Sequence, residues 1–219
     1  RAMAAEAKGS KGELAAIDAM GGEAYRLAYN IDGCSWVYTG RYDAGERRLV
    51  IERTLCGNAR LHDGVMEGVH YERASGRHVL SFSTATSPSQ IFVAGPDLTR
   101  QVTDERVRDI PAAHLSAGED ASFESHDGLR ISARLYVPAQ GLGLEGPRPV
   151  IFYIHGGPRK QERPDFTWFS MPRIQLFTLC GFAVFVPNAR GSIGYGLSFT
   201  RRIDKDWGGL DRLDHVAAF

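Results

Sequence analysis

The chain has 219 residues, 43% of them apolar and 24% charged, with Lys plus Arg and Asp plus Glu balanced at 26 each. That length suits one large domain or two smaller ones. The composition is that of a globular protein, and a net charge of zero supplies no bulk attraction to nucleic acid or to a membrane surface. No apolar run approaches the roughly 20 residues that span a bilayer. Cys34, Cys56 and Cys180 are scattered and form no C-x-x-C pair. They are expected to be reduced, buried thiols in a cytoplasmic setting. The chain opens without Met on "RAMAAEAKGSKGEL", so its true N-terminus is expected upstream, and the missing signal peptide carries little weight.

Residues 1–115 read as β throughout. "GELAAIDAMGGEAYRLA" holds two strands about a glycine turn, and "CSWVYTGRYD" leads through Gly45 to "RRLVIERTL". "GVMEGVHYE" leads through Ser75-Gly76 to "RHVLSFST", and "SQIFVAGPDLTRQVT" closes the series. Short runs rich in Val, Ile, Tyr and Phe between turn residues are strand signals. The first and last of these segments share a layout of strand, turn and Arg-bearing strand. That echo fits two β-propeller blades of roughly 40 residues each; a generic antiparallel sheet is the other reading.

"DIPAAHLSAGED" reads as a linker. After it, Asp127-Gly128 is a hairpin turn signal. Leu129, Ile131, Ala133, Leu135 and Val137 then alternate with Arg130, Ser132, Arg134 and Tyr136, which predicts one buried and one wet face. "PVIFYI" is apolar on both faces and predicts a central, covered strand. "FSMPRIQLFTLCGF" predicts a helix with Ile174, Phe177 and Cys180 inward and Gly181 as its stop. "FAVFVP" is a second continuous apolar strand, "NARGSIGYGLSF" a loop, and "WGGLDRLDHVAAF" a helix from Trp207 with Leu210, Leu213 and Ala217 on one face. Hairpin, strand, helix, strand, helix is an α/β order with crossover connections.

Open α/β sheets carry their chemistry in loops past the carboxyl ends of strands. His155-Gly156-Gly157-Pro158 follows such a strand. Glycine lets a substrate oxygen approach a peptide N–H, and a donor aimed at a developing oxyanion lowers a barrier by roughly 3–4 kcal/mol. Pro158 would fix the direction of the loop. A tight turn that merely needs positive φ explains the same residues.

"HGGP", then "NARGSIGYG", then "DWGGLD", in this order and spacing, resemble the prolyl oligopeptidase family of serine peptidases, in its acylaminoacyl-peptidase flavour. The resemblance implies an α/β hydrolase (partial) over residues 116–219, preceded by all-β propeller blades (partial) over residues 1–115. It implies that Gly157 N–H is one oxyanion donor, and that His155 either donates from its ring or shapes the loop. Asn188, Arg190 and Gly191 become scaffold for the floor of the site, with Arg190 in a buried ion pair or on a carbonyl or carboxylate. Gly208-Gly209 would let the last helix start close to the sheet.

No G-x-S-x-G occurs. Ser35 in "GCSWV" lacks the second glycine and the strand-to-helix context of a nucleophile elbow and reads as a strand residue. Ser, Asp and His of a triad are therefore expected after Phe219, and these 219 residues alone are expected to hydrolyse nothing. The seven histidines show no H-E-x-x-H and no i,i+4 pair, so no metal is expected, nor any cofactor. His215 reads as solvated or half-buried, and "RRIDKD" as a solvated surface. Phe166, Trp168 and Phe169 either line a pocket or pack. The expected partner is a peptide substrate, with neither nucleic acid nor membrane; homo-oligomerisation is left open. A carboxylesterase and a non-catalytic propeller module are the rival readings.

Overall fold

A computed structural model describes residues 12–96, 98–157 and 159–219. The N-terminal stretch through Lys11, Asp97 of the Pro96-Asp97 turn and Pro158 of the HGGP loop lie outside the described residues. Two compact units result. Among the described residues, those up to Arg106 with Arg163–Asp165 form the first, and those of 107–162 with Phe166–Phe219 form the second.

The first unit consists of two antiparallel sheets, each of four strands in chain order. One holds β1 (Gly12–Gly21), β2 (Ala24–Ile31), β3 (Cys34–Asp43) and β4 (Arg48–Cys56). The other holds β5 (Gly64–Glu72), β6 (Arg77–Thr84), β7 (Ser87–Gly95) and β8 (Leu98–Gln101). Four-stranded meanders of this kind are what propeller blades are made of. The turns follow local chemistry: Asp32 and Gly33 take φ of 46° and 90°, the mirror-image turn that matches strand twist. Val37, Leu55, Cys56 and Leu61 from one sheet and its exit join Leu80, Phe82, Phe92 and Ala94 from the other in one buried cluster. Each large side chain so buried contributes about 1.5–3 kcal/mol. The echo between the first and last segments is not a blade repeat. It pairs the first hairpin of one sheet, β1–β2, with the last hairpin of the other, β7–β8.

The second unit is built on a mixed sheet in the order β11-β12-β10-β9. β9 (Glu119–Glu124) and β10 (Arg130–Tyr136) form the expected hairpin, but its loop runs from Ser125 to Leu129 rather than closing on Asp127-Gly128 alone. β11 (Val150–Phe152) crosses through helix α1 (Met171–Leu179) to lie parallel to β12 (Ala183–Asn188), which is antiparallel to β10. A helical turn, α2 (Leu197–Thr200), and α3 (Leu210–Ala217) follow.

Five sequence expectations change here. On β10 the alternation fails, because Ser132, Arg134 and Tyr136 are as buried as Ile131 and Ala133. The strand has partners on both sides, and Arg134 holds its buried charge against Asp120 at 3.0 Å. β11 is not central among the described strands; it is an edge, with Val150 and Ile154 half exposed. α1 buries Met171, Ile174, Gln175 and Thr178 rather than Phe177 and Cys180. That face is i, i+3, i+4, i+7, and Cys180, unlike Cys34 and Cys56, is exposed. The linker "DIPAAHLSAGED" is buried in its middle, where Ser116 exchanges two 2.8 Å hydrogen bonds with the Gln175 amide. α3 starts at Leu210, not Trp207, and its one buried residue is Asp214.

One buried group makes the first unit sensitive to pH. His78 on β6 is 5% exposed, 4.7 Å from the Tyr71 ring, with Nε2 3.4 Å from Met20 Sδ. Burial, then Arg26 and Arg53, pushes its pKa down to about 4. The unfolded chain takes up this proton near pH 6.5 and the folded chain only near 4, so acid favours unfolding across that window. His78→Gln is expected to flatten the fall in unfolding free energy between pH 6.5 and 4, read by urea titration at each pH.

Candidate active site

β11 delivers the chain to the loop. Tyr153 extends the ladder, its N–H donating to Phe185 O at 2.9 Å. Pairing stops there, and His155, Gly156 and Gly157 turn away. Gly157 has φ +120°, and a Cβ on it would stand 2.9 Å from Lys160 Cβ. The position therefore requires glycine. Gly156 and Gly157 are both exposed, and among the described residues the Gly157 N–H donates to nothing. An exposed, unspent N–H just past the carboxyl end of a strand is what an incoming anionic oxygen needs.

The His155 ring lies across this loop. Nδ1 is 3.2 Å from Gly156 O, and Nε2 is 3.4 Å from Ser192 Oγ. Burial holds its pKa below the usual imidazole range, so it is neutral at pH 7. Both ring nitrogens are thus turned to the protein, a geometry that braces the loop.

The floor beneath is the segment after β12. Asn188 pairs its side-chain amide with the backbone of Glu162, accepting from N at 2.9 Å and donating to O at 3.1 Å. Its Nδ2 also reaches Tyr195 Oη at 2.9 Å. The far end of the HGGP loop is fixed to β12 in this way. The Ile193 N–H donates to Arg159 O at 3.0 Å, and Arg159 pairs with Asp204. The Glu162 carboxyl is buried and accepts a hydrogen bond from Ser170 Oγ; burial raises its pKa. Gly191, φ +96°, leaves no room for a side chain: a Cβ would stand 1.9 Å from Ile203 Cγ2. Ile203 is 1% exposed, so "RRIDKD" is a solvated surface only around this one core residue.

Arg190 closes the floor from below. It is 2% exposed. Nε and Nη2 donate to Asp214 Oδ1 at 3.0 and 2.6 Å, and the Arg190 backbone N–H donates to Asp214 Oδ2 at 2.8 Å. Nη1 and Nη2 donate to the two Asp127 oxygens at 3.0 and 2.9 Å. Ser125 Oγ donates to Asp214 Oδ1 at 2.5 Å. The guanidinium holds the Asp127 carboxyl at about 2, and the carboxylates push Arg190 up from its already high value. Of the two roles open to Arg190, this is the buried ion pair.

Ser35 is a β3 residue, 7% exposed, with Oγ accepting from Met66 N at 3.0 Å and from Arg163 Nη2 at 3.2 Å. Trp168 and Phe169 are exposed, and Lys160 Nζ sits 4.9 Å from the Phe169 ring centroid. Gly208 and Gly209 lie in the turn before α3, where Asp206 Oδ2 accepts from Leu210 N at 2.9 Å. His215 is half-buried. Among the described residues no group of three or more His, Cys, Asp or Glu is placed to hold a metal ion, and no helix is long and apolar enough to cross a membrane. Reasoning from sequence missed Asp214 and Glu162. The one available signal for Asp214 was a carboxylate between Leu213 and Val216 on a helix otherwise read as apolar on that side.

Comparison with known proteins meets this geometry from outside. Residues 167–219, which include the Arg190 floor and α3, match the model of the prolyl oligopeptidase family. The resemblance drawn from the motifs is borne out there. The chain is 33% identical over 141 residues to a Bacillus subtilis protein named uncharacterized peptidase YuxL, covering 64% of this chain and 21% of that one. It is 35% identical over 96 residues to dipeptidyl-peptidase 5 of Schizosaccharomyces pombe, covering 44% of this chain and 14% of the relative. The matched part of the chain thus spans between about a seventh and a fifth of the length of these relatives. In fold it is similar to a puromycin hydrolase, with TM-score 0.70 and 19% identity over 94% of this chain and 30% of that one. The acylaminoacyl peptidase of Pyrococcus horikoshii gives TM-score 0.68 and 21% identity over the same shares.

The Arg190 network yields a graded expectation. Asp214→Asn strands a buried guanidinium and is expected to cost about 3–5 kcal/mol; Asp127→Asn, at the solvent-exposed end of the network, is expected to cost much less. Arg190→Lys cannot restore two forked contacts and should resemble the Asp214 variant. Urea unfolding of the three variants checks the order.

Proposed function

We propose that these residues belong to a serine peptidase of the prolyl oligopeptidase type, which cleaves oligopeptides, N-acylated ones among them, by acyl transfer. On this reading the two meanders of the first unit are propeller blades, and the second unit is part of an α/β-hydrolase domain. Gly157 carries the proposal: an exposed N–H with no partner among the described residues, on a glycine held at φ +120° past a strand end. Gly157 N–H receives the oxyanion that forms when a serine attacks the scissile carbonyl. A histidine takes the serine proton and returns it to the leaving amine, and water then releases the acyl group. The serine is not among these residues. They contain no G-x-S-x-G, and Ser35 and Ser192, both buried, have their hydroxyls engaged.

His155 is a positioning residue in this scheme, since its ring nitrogens face Gly156 O and Ser192 Oγ. A carboxylesterase would use the same kind of loop. The four-stranded meanders and the peptidase names of the relatives favour the peptidase.

Two measurements test the proposal. In the complete enzyme, Gly157→Ala, which must shift the N–H, is expected to lower kcat on a peptide anilide by about 100-fold or more, with KM changed far less. His155→Phe is expected to lower it by about tenfold or less. Equal activity of Gly157→Ala and the parent would remove Gly157 from the mechanism. The 219-residue chain alone is expected to resist a fluorophosphonate probe for activated serine, and labelling would contradict the absence of a nucleophile.

A further inference from the structure

We infer that the cleft between β1–β2 and β5 in the first unit is a binding pocket for a carboxylate, of the kind a peptide presents at its C-terminus. The cavity holds about 280 Å3 and is lined by Asp18, Met20, Arg26, His70, Tyr71 and Arg73 among others. That volume accommodates one amino-acid residue.

Its chemistry comes from two guanidinium groups held in different ways. Arg26 is a built-in element: it is 9% exposed and faces Asp18 directly across the β1–β2 ladder. Its Nε and Nη2 both donate to the same oxygen, Asp18 Oδ2, at 3.2 and 2.9 Å. Arg73 follows β5, and its guanidinium rests on Gly21 at the β1–β2 turn. A Cβ at Gly21 would lie 3.4 Å from Arg73 Cζ and 3.6 Å from Nε. Glycine at this turn, with φ +116°, leaves bare backbone beneath the fork. Glu72, the neighbouring acid, is spent on its own turn, where its two oxygens accept from Ala74 N and Ser75 N, each at 2.8 Å.

Two arginines against Asp18 leave one positive charge. A monoanion balances it, whereas a dianionic phosphate overshoots. A planar carboxylate also matches the guanidinium fork. Asp18 then acts as a competitor inside the pocket, since it occupies the Arg26 donors that the ligand would use. Removing the Asp18 charge is therefore expected to strengthen binding, a sign opposite to that of removing an arginine.

The test is a calorimetric titration of the 219-residue chain at low ionic strength with N-acetylglycine, N-acetylglycinamide and inorganic phosphate. It reads binding alone and touches only the first unit, so its failure leaves the peptidase reading standing, and the reverse holds too. The acid is expected to saturate in the millimolar range, with the amide about tenfold weaker or more and phosphate weaker than the acid. Arg73→Gln, at an exposed position, is expected to weaken the acid about tenfold, and Asp18→Asn to tighten it. Circular dichroism confirms that each variant is folded. Equal binding of acid and amide, tighter binding of phosphate, an unaffected Arg73→Gln, or no saturation by about 50 mM would each overturn the inference. So would weaker binding by a folded Asp18→Asn.

Discussion

A guanidinium that is 2% exposed is tolerable only when its donors are taken and its charge is answered. Arg190 meets that condition by gathering three segments distant in sequence. Asp214 comes from α3, Asp127 and Ser125 from the turn after β9, and Arg190 itself from the end of β12. The backbone N–H of Arg190 joins the same carboxylate, so the start of the loop is fixed as well as its side chain. Gly191 is then pressed against Ile203, and Ser192 comes within reach of His155. A single desolvated charge thus determines where the floor lies beneath the glycine loop.

The loop above is held by different means at its two ends. Parallel pairing of β11 with β12 carries it out to Tyr153. Asn188 then catches it at Glu162 through both edges of its amide. Between those anchors Gly157 makes no hydrogen bond with the described residues. On the proposed reading of Gly157 as an oxyanion donor, preorganisation of this kind matters, because the donor's orientation is settled before the reaction and costs nothing during it. The neutral His155 ring adds rigidity without placing a competing charge beside the N–H groups.

Much of this was legible in the sequence, and the failures have physical causes. The strands of the first unit could be read almost to the residue, because Gly45, Ser75-Gly76 and Gly21-Gly22 punctuate β-branched and aromatic runs. Arg190 could be placed in an ion pair from the motif around it, but its partner could not be named. Asp214 is separated from it by 24 positions, and nothing local marks a helical carboxylate as buried. Periodicity misled on β10 and α1, where polar side chains face the core. Arg134 answers Asp120 and Gln175 answers the Ser116 backbone, so those positions are buried in spite of their polarity. A pattern of apolar residues cannot see a core that is partly polar. Gly157 is the reverse case. Its residue type and place after a strand suggested a role, and the observed φ and the closeness of Lys160 supply the physical reason for the glycine.

The most direct test of the proposed role of Gly157 is a crystal structure of the complete protein with a peptide boronate, which would mimic the tetrahedral intermediate on the proposed serine. Gly157 N is expected about 2.7–3.1 Å from the boronate oxygen that replaces the carbonyl oxygen, with the His155 ring still turned to Gly156 O and Ser192. A boronate oxygen held wholly by other donors, with Gly157 N beyond hydrogen-bond reach, would contradict it.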